Sequence, residues 1–201
     1  FFECKKIIKE ELKDCSLLIK ANPMDAKFLY ESVKHIVNQL EINENFYEIL
    51  LCCDDISATR IRRFANDDLD LFNKEAIRLK NDGYIDRVIS LELPNDFAIF
   101  DKYFNKHSEC SHALNGQNLL ATLKGFESVK TRYVLQTDLD IIYFNDGKER
   151  LFNALDKLKN SKAVTLSLSI AHKDLDREIF NCRTECRTCF VDLNRLNKVL
   201  P

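Results

Sequence analysis

Glycine and proline are scarce in this 201-residue chain, which has four of the first and three of the second. So few glycines leave no Gly-rich, basic phosphate loop near the first apolar segment, the usual sign of a nucleotidyltransferase. A large excess of either charge is also missing. With 30 basic and 32 acidic residues the net charge is -2, so nothing draws the chain generally to nucleic acid, and no nucleic acid partner is expected. No apolar run approaches the ~20 residues needed to cross a bilayer, so no membrane span is expected within the chain. The start, Phe1-Phe2-Glu3-Cys4-Lys5-Lys6, lacks the basic-then-apolar order of a signal peptide. A cytoplasmic location with reduced thiols is therefore the expectation; in a secreted chain, disulfides would be expected instead. The absence of an initial Met is what an excised or processed piece would show. Linkers, repeats and low-complexity stretches are missing too. A hydrophobic content of 45% can bury a real core, and residues 1–201 are expected to form one domain.

What is present is an alternation of strand-like and helix-like segments. Cys15 to Lys20 and Tyr47 to Cys53 read as strands. Between them, Leu29, Val33, Ile36, Val37 and Leu40 recur at helical spacing, after Asn22 as N-cap and Pro23 at the first helical position. Leu69, Phe72, Ala76 and Leu79 form the next apolar stripe, with Gly83 as its stop. Arg87 to Leu93, closed by Pro94, reads as a third strand, and the run Tyr133 to Asp140 as a fourth. Four strands with intervening helices predict an α/β fold with a mostly parallel central sheet, whose ligands bind beyond the carboxyl ends of the strands. Asn22, Asp54, Asp55, Asp138 and Asp140 all fall at such ends. Further on, Lys148 to Leu158 reads as a helix, Ala163 to Ile170 as a strand, and Cys189 to Leu193 as a strand before a short terminal helix.

The run Tyr133-Val134-Leu135-Gln136-Thr137-Asp138-Leu139-Asp140 ends in two carboxylates spaced Asp-x-Asp. Side chains alternate along a strand, so Asp138 and Asp140 are expected to project to one side at its mouth. Two hard oxygen ligands there can hold Mg²⁺ or Mn²⁺ with positions left open for the phosphates of a nucleotide. The plainer alternative is a strand end and turn, where Asp is common.

The segment Asn115-Gly116-Gln117-Asn118-Leu119-Leu120-Ala121-Thr122-Leu123-Lys124-Gly125, followed by Arg132 to Asp140, resembles the centre of GT-A glycosyltransferases, especially the large inverting family that uses nucleotide-sugar donors. Asn115, Ala121 and Gly125 fall on that family's helix pattern, whereas Gln117, Thr122, Leu123 and Ile141 depart from it. Upstream, Ser16 to Pro23 resembles the family's first strand and nucleotide-binding turn, and Tyr47 to Ser57 its second strand, ending Asp54-Asp55-Ile56-Ser57. The resemblance implies a GT-A architecture. Residues 15–145 would bind the nucleotide-sugar donor, and 146–201 would begin an acceptor-side part that could stop short of its base. It further implies a hexosyl-type transfer to a hydroxyl of a sugar, lipid or protein acceptor, with Mn²⁺ or Mg²⁺ on Asp138 and Asp140. Lys20, Ala21 and Asn22 would shape the nucleoside slot, Asp54 or Asp55 would accept hydrogen bonds from base or ribose, and Asn115 and Asp138 would complete the donor contacts. Asp192 and Glu185 are the nearby carboxylates that could serve as catalytic base.

Eight cysteines are the second unusual feature. Cys182-x3-Cys186-x2-Cys189 followed by Phe190 resembles the cluster motif of radical SAM enzymes, in which three thiolates hold a [4Fe–4S] cluster. An iron–sulfur or zinc-binding module is thus an alternative class, alongside structural or free thiols and the nucleotidyltransferase reading. His107, Cys110 and His112 could add ligands, or be surface residues of a polar, helical segment.

Overall fold

The computed structural model describes residues 13–41, 46–55, 65–113, 118–143, 147–167 and 187–200. The order of elements is β1 (Cys15–Ala21), a 3-10 turn (Pro23–Asp25), α1 (Ala26–Leu40), β2 (Ile49–Cys53), α2 (Ala65–Asn81) and β3 (Arg87–Ile89). A 3-10 turn (Asn95–Phe97) leads into α3 (Ala98–Phe104), followed by α4 (Leu120–Ser128), β4 (Tyr133–Asp138) and α5 (Gly147–Lys159). The chain closes with β5 (Thr165–Ser167), β6 (Thr188–Asp192) and α6 (Leu193–Val199).

The six strands form one mixed sheet in the order β3-β2-β1-β4-β6-β5. β1 pairs in parallel with β2 and β4, and β2 with β3, while β6 runs antiparallel to β4 and to β5. A mostly parallel sheet must be covered on both faces, because its strands carry apolar side chains on each. Along β1, Leu17 and Ile19 point into a core shared with Leu29, Val33 and Ile36 of α1, Phe72 and Leu79 of α2, and Leu151 and Leu155 of α5. Leu18 points the other way, into a second core with Phe100 of α3 and Leu120, Leu123 and Phe126 of α4. The expected α/β architecture with flanking helices is the one observed.

Local signals explain the helix ends. The Asn22 side chain accepts from the Met24 N–H at 3.0 Å, and Asp25 accepts back from the Asn22 N–H at 3.3 Å, a reciprocal cap that opens the turn before α1. α2 ends in a Schellman arrangement, with Tyr84 N–H on Leu79 O at 2.9 Å and Gly83 N–H on Lys80 O at 3.1 Å, and Gly83 at φ 77°.

Some elements are shorter than the sequence pattern predicts. β3 stops at Ile89 rather than Leu93, and beyond it the Glu92 N–H is taken by the Asp96 carboxylate at 2.6 Å. β5 covers Thr165–Ser167 of the expected strand, whose last residues, 168–170, lie outside the described residues. The segment around His107 and Cys110, read as helical, lies beyond the end of α3 at Phe104.

Two substitutions at left-handed positions should move stability in opposite directions. Gly83→Ala meets no atom within 4 Å but must hold a positive φ, so it should lose about 1 kcal/mol, or roughly 2–4 °C of Tm. Glu41, the C-cap of α1, sits at φ 46°, and Glu41→Gly should gain a few tenths to about 1 kcal/mol. Thermal unfolding of the two variants checks the pair of signs.

Candidate functional site

The strand order reverses direction between β1 and β4: the chain steps from β1 outward through β2 to β3, then returns to the other side of β1. Open α/β sheets bind ligands in the crevice at such a switch point, beyond the carboxyl ends of the strands. Lys20 of β1 and Asp138 of β4 are register partners there, with Lys20 Nζ 2.9 Å from Asp138 Oδ1. The turn that follows β4 is fixed by backbone bonds from both neighbours. Asp138 N–H donates to Arg187 O at 2.8 Å, and Leu139 N–H donates to Lys20 O at 2.9 Å.

β4 ends at Asp138 and Asp140 lies in the turn beyond it, so strand alternation does not relate the two carboxylates, but one side chain reaches both. Arg187 bridges them, its Nε 3.6 Å from Asp138 Oδ2 and its terminal nitrogen hydrogen-bonded to Asp140 Oδ2. Asp25, from the turn after β1, faces the same space. Burial first, and then the negative field of Asp140, Asp138 and Asp54, push its carboxyl up, against the Asn22 N–H that favours the charged form. The mouth is therefore a region of converging negative charge that Lys20 and Arg187 offset. Among the described residues no group of three or more His, Cys, Asp and Glu side chains is set to hold a metal by itself.

The second cluster lies at the end of β2. Asp54 N–H bonds to Ala21 O at 2.9 Å, tying the loop after β2 to the end of β1. The Asp54 carboxylate accepts from Asn22 Nδ2 at 3.1 Å and from the Asp55 N–H at 2.7 Å, and His112 Nε2 lies 3.2 Å from its Oδ2. Ser111 Oγ donates to buried Asp55 at 2.5 Å, which uses its one hydrogen, and it lies 2.9 Å from His112 Nδ1. The His112 ring thus bridges Ser111 and the Asp54 carboxylate, with one ring nitrogen on each.

Asn22, Asp54, Asp55, Lys20, Ala21, Asp138 and Asp140 are thus gathered at one end of the sheet. Asp25 and Arg187, which the sequence reading did not single out, belong with them, and so does His112; of the three residues His107, Cys110 and His112 the first two are exposed, whereas the His112 side chain is 10% exposed. Its nearness to the Asn115 segment was the one available signal. Asn115 lies outside the described residues. The first amide donors around the start of α4, which the resemblance would aim at a diphosphate, are already used within the chain. Leu119 and Leu120 N–H bond to Ser111 O at 3.2 and 2.9 Å, and Ala121 N–H to Asn118 Oδ1 at 3.2 Å.

Asp192, expected as a possible base, is elsewhere. It pairs with Tyr133, at the start of β4, so five steps of about 3.3 Å, roughly 16 Å, separate it from Asp138. It is fully buried, accepts from Arg132 at 2.8 Å, lies 3.1 Å from Arg195 Nε, and caps α6 through the Arg195 N–H at 3.2 Å. Those bonds make Asp192 a structural anchor, distant from the Asp138 end of the sheet, rather than a base there. Glu185, Cys182 and Cys186 lie outside the described residues. Cys189 is buried in β6, where its sulfur accepts from Gln136 Nε2 at 3.2 Å. Burial pushes the Cys15 and Cys52 thiols up, and that of Cys53 to about 12, so all three stay protonated at neutral pH. No helix among the described residues is long and apolar enough to cross a membrane.

The anchor role of Asp192 has a measurable consequence. Burial alone would raise its pKa, but the Arg132 and Arg195 contacts more than offset that and hold it below the usual carboxylate value. A depressed folded-state pKa contributes stability that is present above the unfolded value of about 4 and lost as pH falls through the folded one. Asp192→Asn should therefore lose about 1–3 kcal/mol at pH 7. Below about pH 4 the gap between variant and wild type should narrow. Urea unfolding across pH 2–7 checks both statements.

No protein-family model matches the chain, and no curated protein matches it closely, so the functional reading rests on the geometry of this sheet end.

Proposed function

We propose that the chain is a GT-A-like, metal-dependent glycosyltransferase domain that binds a nucleoside-diphosphate sugar at the carboxyl ends of β1, β2 and β4. The observation that carries this reading is the Asp138–Asp140 pair, converged by its turn at the β1/β4 switch point and surrounded by the charges described above. The donor set fits a hard divalent ion. Mg²⁺ and Mn²⁺ are commonly held by one or two carboxylates, with substrate phosphates and water completing the shell, so two carboxylates open to solvent suffice. Asp138 is 31% and Asp140 65% exposed, which leaves that shell room. When bound, the ion would supply neutralisation of the charge that develops on the departing diphosphate.

The chain's own residues do the rest. The Lys20 to Asn22 backbone ends β1 beside the nucleoside slot. Asp54, oriented by Asn22, His112 and the Asp55 N–H, presents its remaining acceptor capacity to the base or ribose. In the transfer, the acceptor oxygen forms its bond to the sugar carbon as the bond from that carbon to the diphosphate breaks. The acceptor proton goes to a base, and the nucleoside diphosphate departs with the electron pair.

A thermal-shift panel of UDP, GDP, CMP and TDP sugars, each with and without Mn²⁺, tests the reading. One nucleotide class should raise the melting temperature, and only with metal; a ligand at 100 times its Kd adds about 2.7 kcal/mol. If none stabilises the fold, the glycosyltransferase reading falls. Asp140→Asn should fold normally, since the side chain is exposed, and should lose about 1.5–3 kcal/mol of Mn²⁺-dependent binding. Unchanged binding in that variant would remove the metal role.

A further inference from the structure

The turn that carries Asp140 leaves the sheet on one face and returns on the other. Side chains alternate along β4, so Asp138 follows Val134 to the face covered by α3 and α4, whereas Thr137 lies with Leu135 on the face covered by α1, α2 and α5. From Asp138 the chain runs outward through exposed Asp140 and comes back at buried Tyr143, which packs in the core of that second face. The turn is a span held at both ends.

Its far end is held by hydroxyls. Tyr143 Oη donates to Thr137 Oγ1 at 2.9 Å and is also bonded to the Thr188 side chain, and Thr137 Oγ1 and Thr188 Oγ1 lie 3.2 Å apart. Each of the three adjoins one part of the charged site. Thr137 precedes Asp138, Thr188 follows Arg187, and Tyr143 closes the turn that carries Asp140. On α1, His35 Nε2 lies 3.1 Å from the Tyr143 carbonyl oxygen and ties the same end of the turn to the helix.

Packing alone does not call for these hydroxyls. All three residues are buried, and a buried hydrogen-bonded set adds little net stability over apolar groups of the same shape. What such a network adds is uniqueness, because its directional bonds favour one arrangement of the segments that bear them. Here those segments are the end of β4, the start of β6 and the turn between Asp138 and Tyr143. They are the segments that bear Asp138, Arg187 and Asp140.

We propose that Thr137, Tyr143 and Thr188 are positioning residues: their hydroxyls lock these three segments together, so that Asp138 and Asp140 are presented to one divalent ion at a fixed separation. The inference rests on the glycosyltransferase reading and names what sets the geometry of its metal site. None of the three acts as a ligand.

The test sets affinity against stability, with the preformed Mn²⁺–pyrophosphate complex as probe, followed by calorimetry, and thermal unfolding of the same chains. A triple variant, Thr137→Val with Tyr143→Phe and Thr188→Val, removes the hydroxyls together and strands none of them. The Asp138 carbonyl, 3.3 Å from Thr137 Oγ1, keeps the Ile141 N–H at 3.2 Å. This variant should melt within about 4 °C of wild type yet bind the probe about tenfold more weakly. Thr137→Ser keeps its hydroxyl and loses a buried methyl, so it should melt lower while binding within about twofold of wild type. A merely structural role would not separate the two readouts in opposite senses. If the triple variant folds poorly, Tyr143→Phe alone keeps the ring and should show the weaker binding. Wild-type affinity in the folded triple variant or in Tyr143→Phe, or an equal loss of affinity in Thr137→Ser, would overturn the positioning role and leave the glycosyltransferase reading standing. A wild-type chain that does not bind the probe would overturn both.

Discussion

The constraint on which the rest depends is the position of β1 at the centre of the sheet, paired in parallel on both sides. Parallel pairing sends β1, β2 and β4 out of the sheet at the same edge, so the residues that end them have to meet. The register decides which: Ala21 stands beside Cys53, and Lys20 beside Asp138. Asp54 then follows directly on β2 and is drawn to the Ala21 carbonyl, while Leu139 is drawn to the Lys20 carbonyl. A slip of one residue in the β1–β4 pair would turn Asp138 to the opposite face and part it from Lys20. The apolar alternation of β1, with Leu17 and Ile19 in one core and Leu18 in the other, opposes that slip. The core thus sets the geometry of the polar site.

Much of this was legible in the sequence because it depends on local pattern. The Asn22-Pro23 start, the Leu29 to Leu40 stripe, the Gly83 stop and the strand beginning at Tyr133 are signals contained in a few consecutive residues. What stayed hidden depends on pairing between distant segments. Nothing near Thr188 to Asp192 announces that this strand runs antiparallel to β4, and it is that reversal which carries Asp192 to the far end of the sheet while leaving Arg187 at the site. His112 was hidden for a similar reason: an isolated histidine in a polar segment looks like a surface residue until Ser111 and Asp55 are seen beside it. The Asp96 side chain takes the Glu92 N–H beyond the end of β3, a contact that no alternation of apolar residues encodes.

The two ends of the sheet handle buried charge differently. At the amino edge of the parallel strands, Glu48 accepts from Arg87 at 2.7 Å, Lys130 N–H at 2.9 Å and Ser16 Oγ at 3.2 Å. Asp192 is held in the same manner by Arg132 and Arg195. Both carboxylates are closed from water, at 7% and 0% exposure, and each accepts a backbone N–H as well as a guanidinium. Backbone donors cannot move without unfolding an element, so these carboxylates are locked, and removing one partner strands a buried charge. They fasten segments far apart in the chain and suit no exchange of ligands.

At the carboxyl edge, Asp138 and Asp140 reach solvent and are met by the ends of a lysine and an arginine. Such contacts are individually weak, because water and salt screen them and each costs side-chain entropy. The locked and the loosely held carboxylates sit on neighbouring strands of one sheet. Among the described residues the fold therefore separates buried carboxylates that fasten the chain from the solvent-reaching Asp138 and Asp140 at the topological switch point.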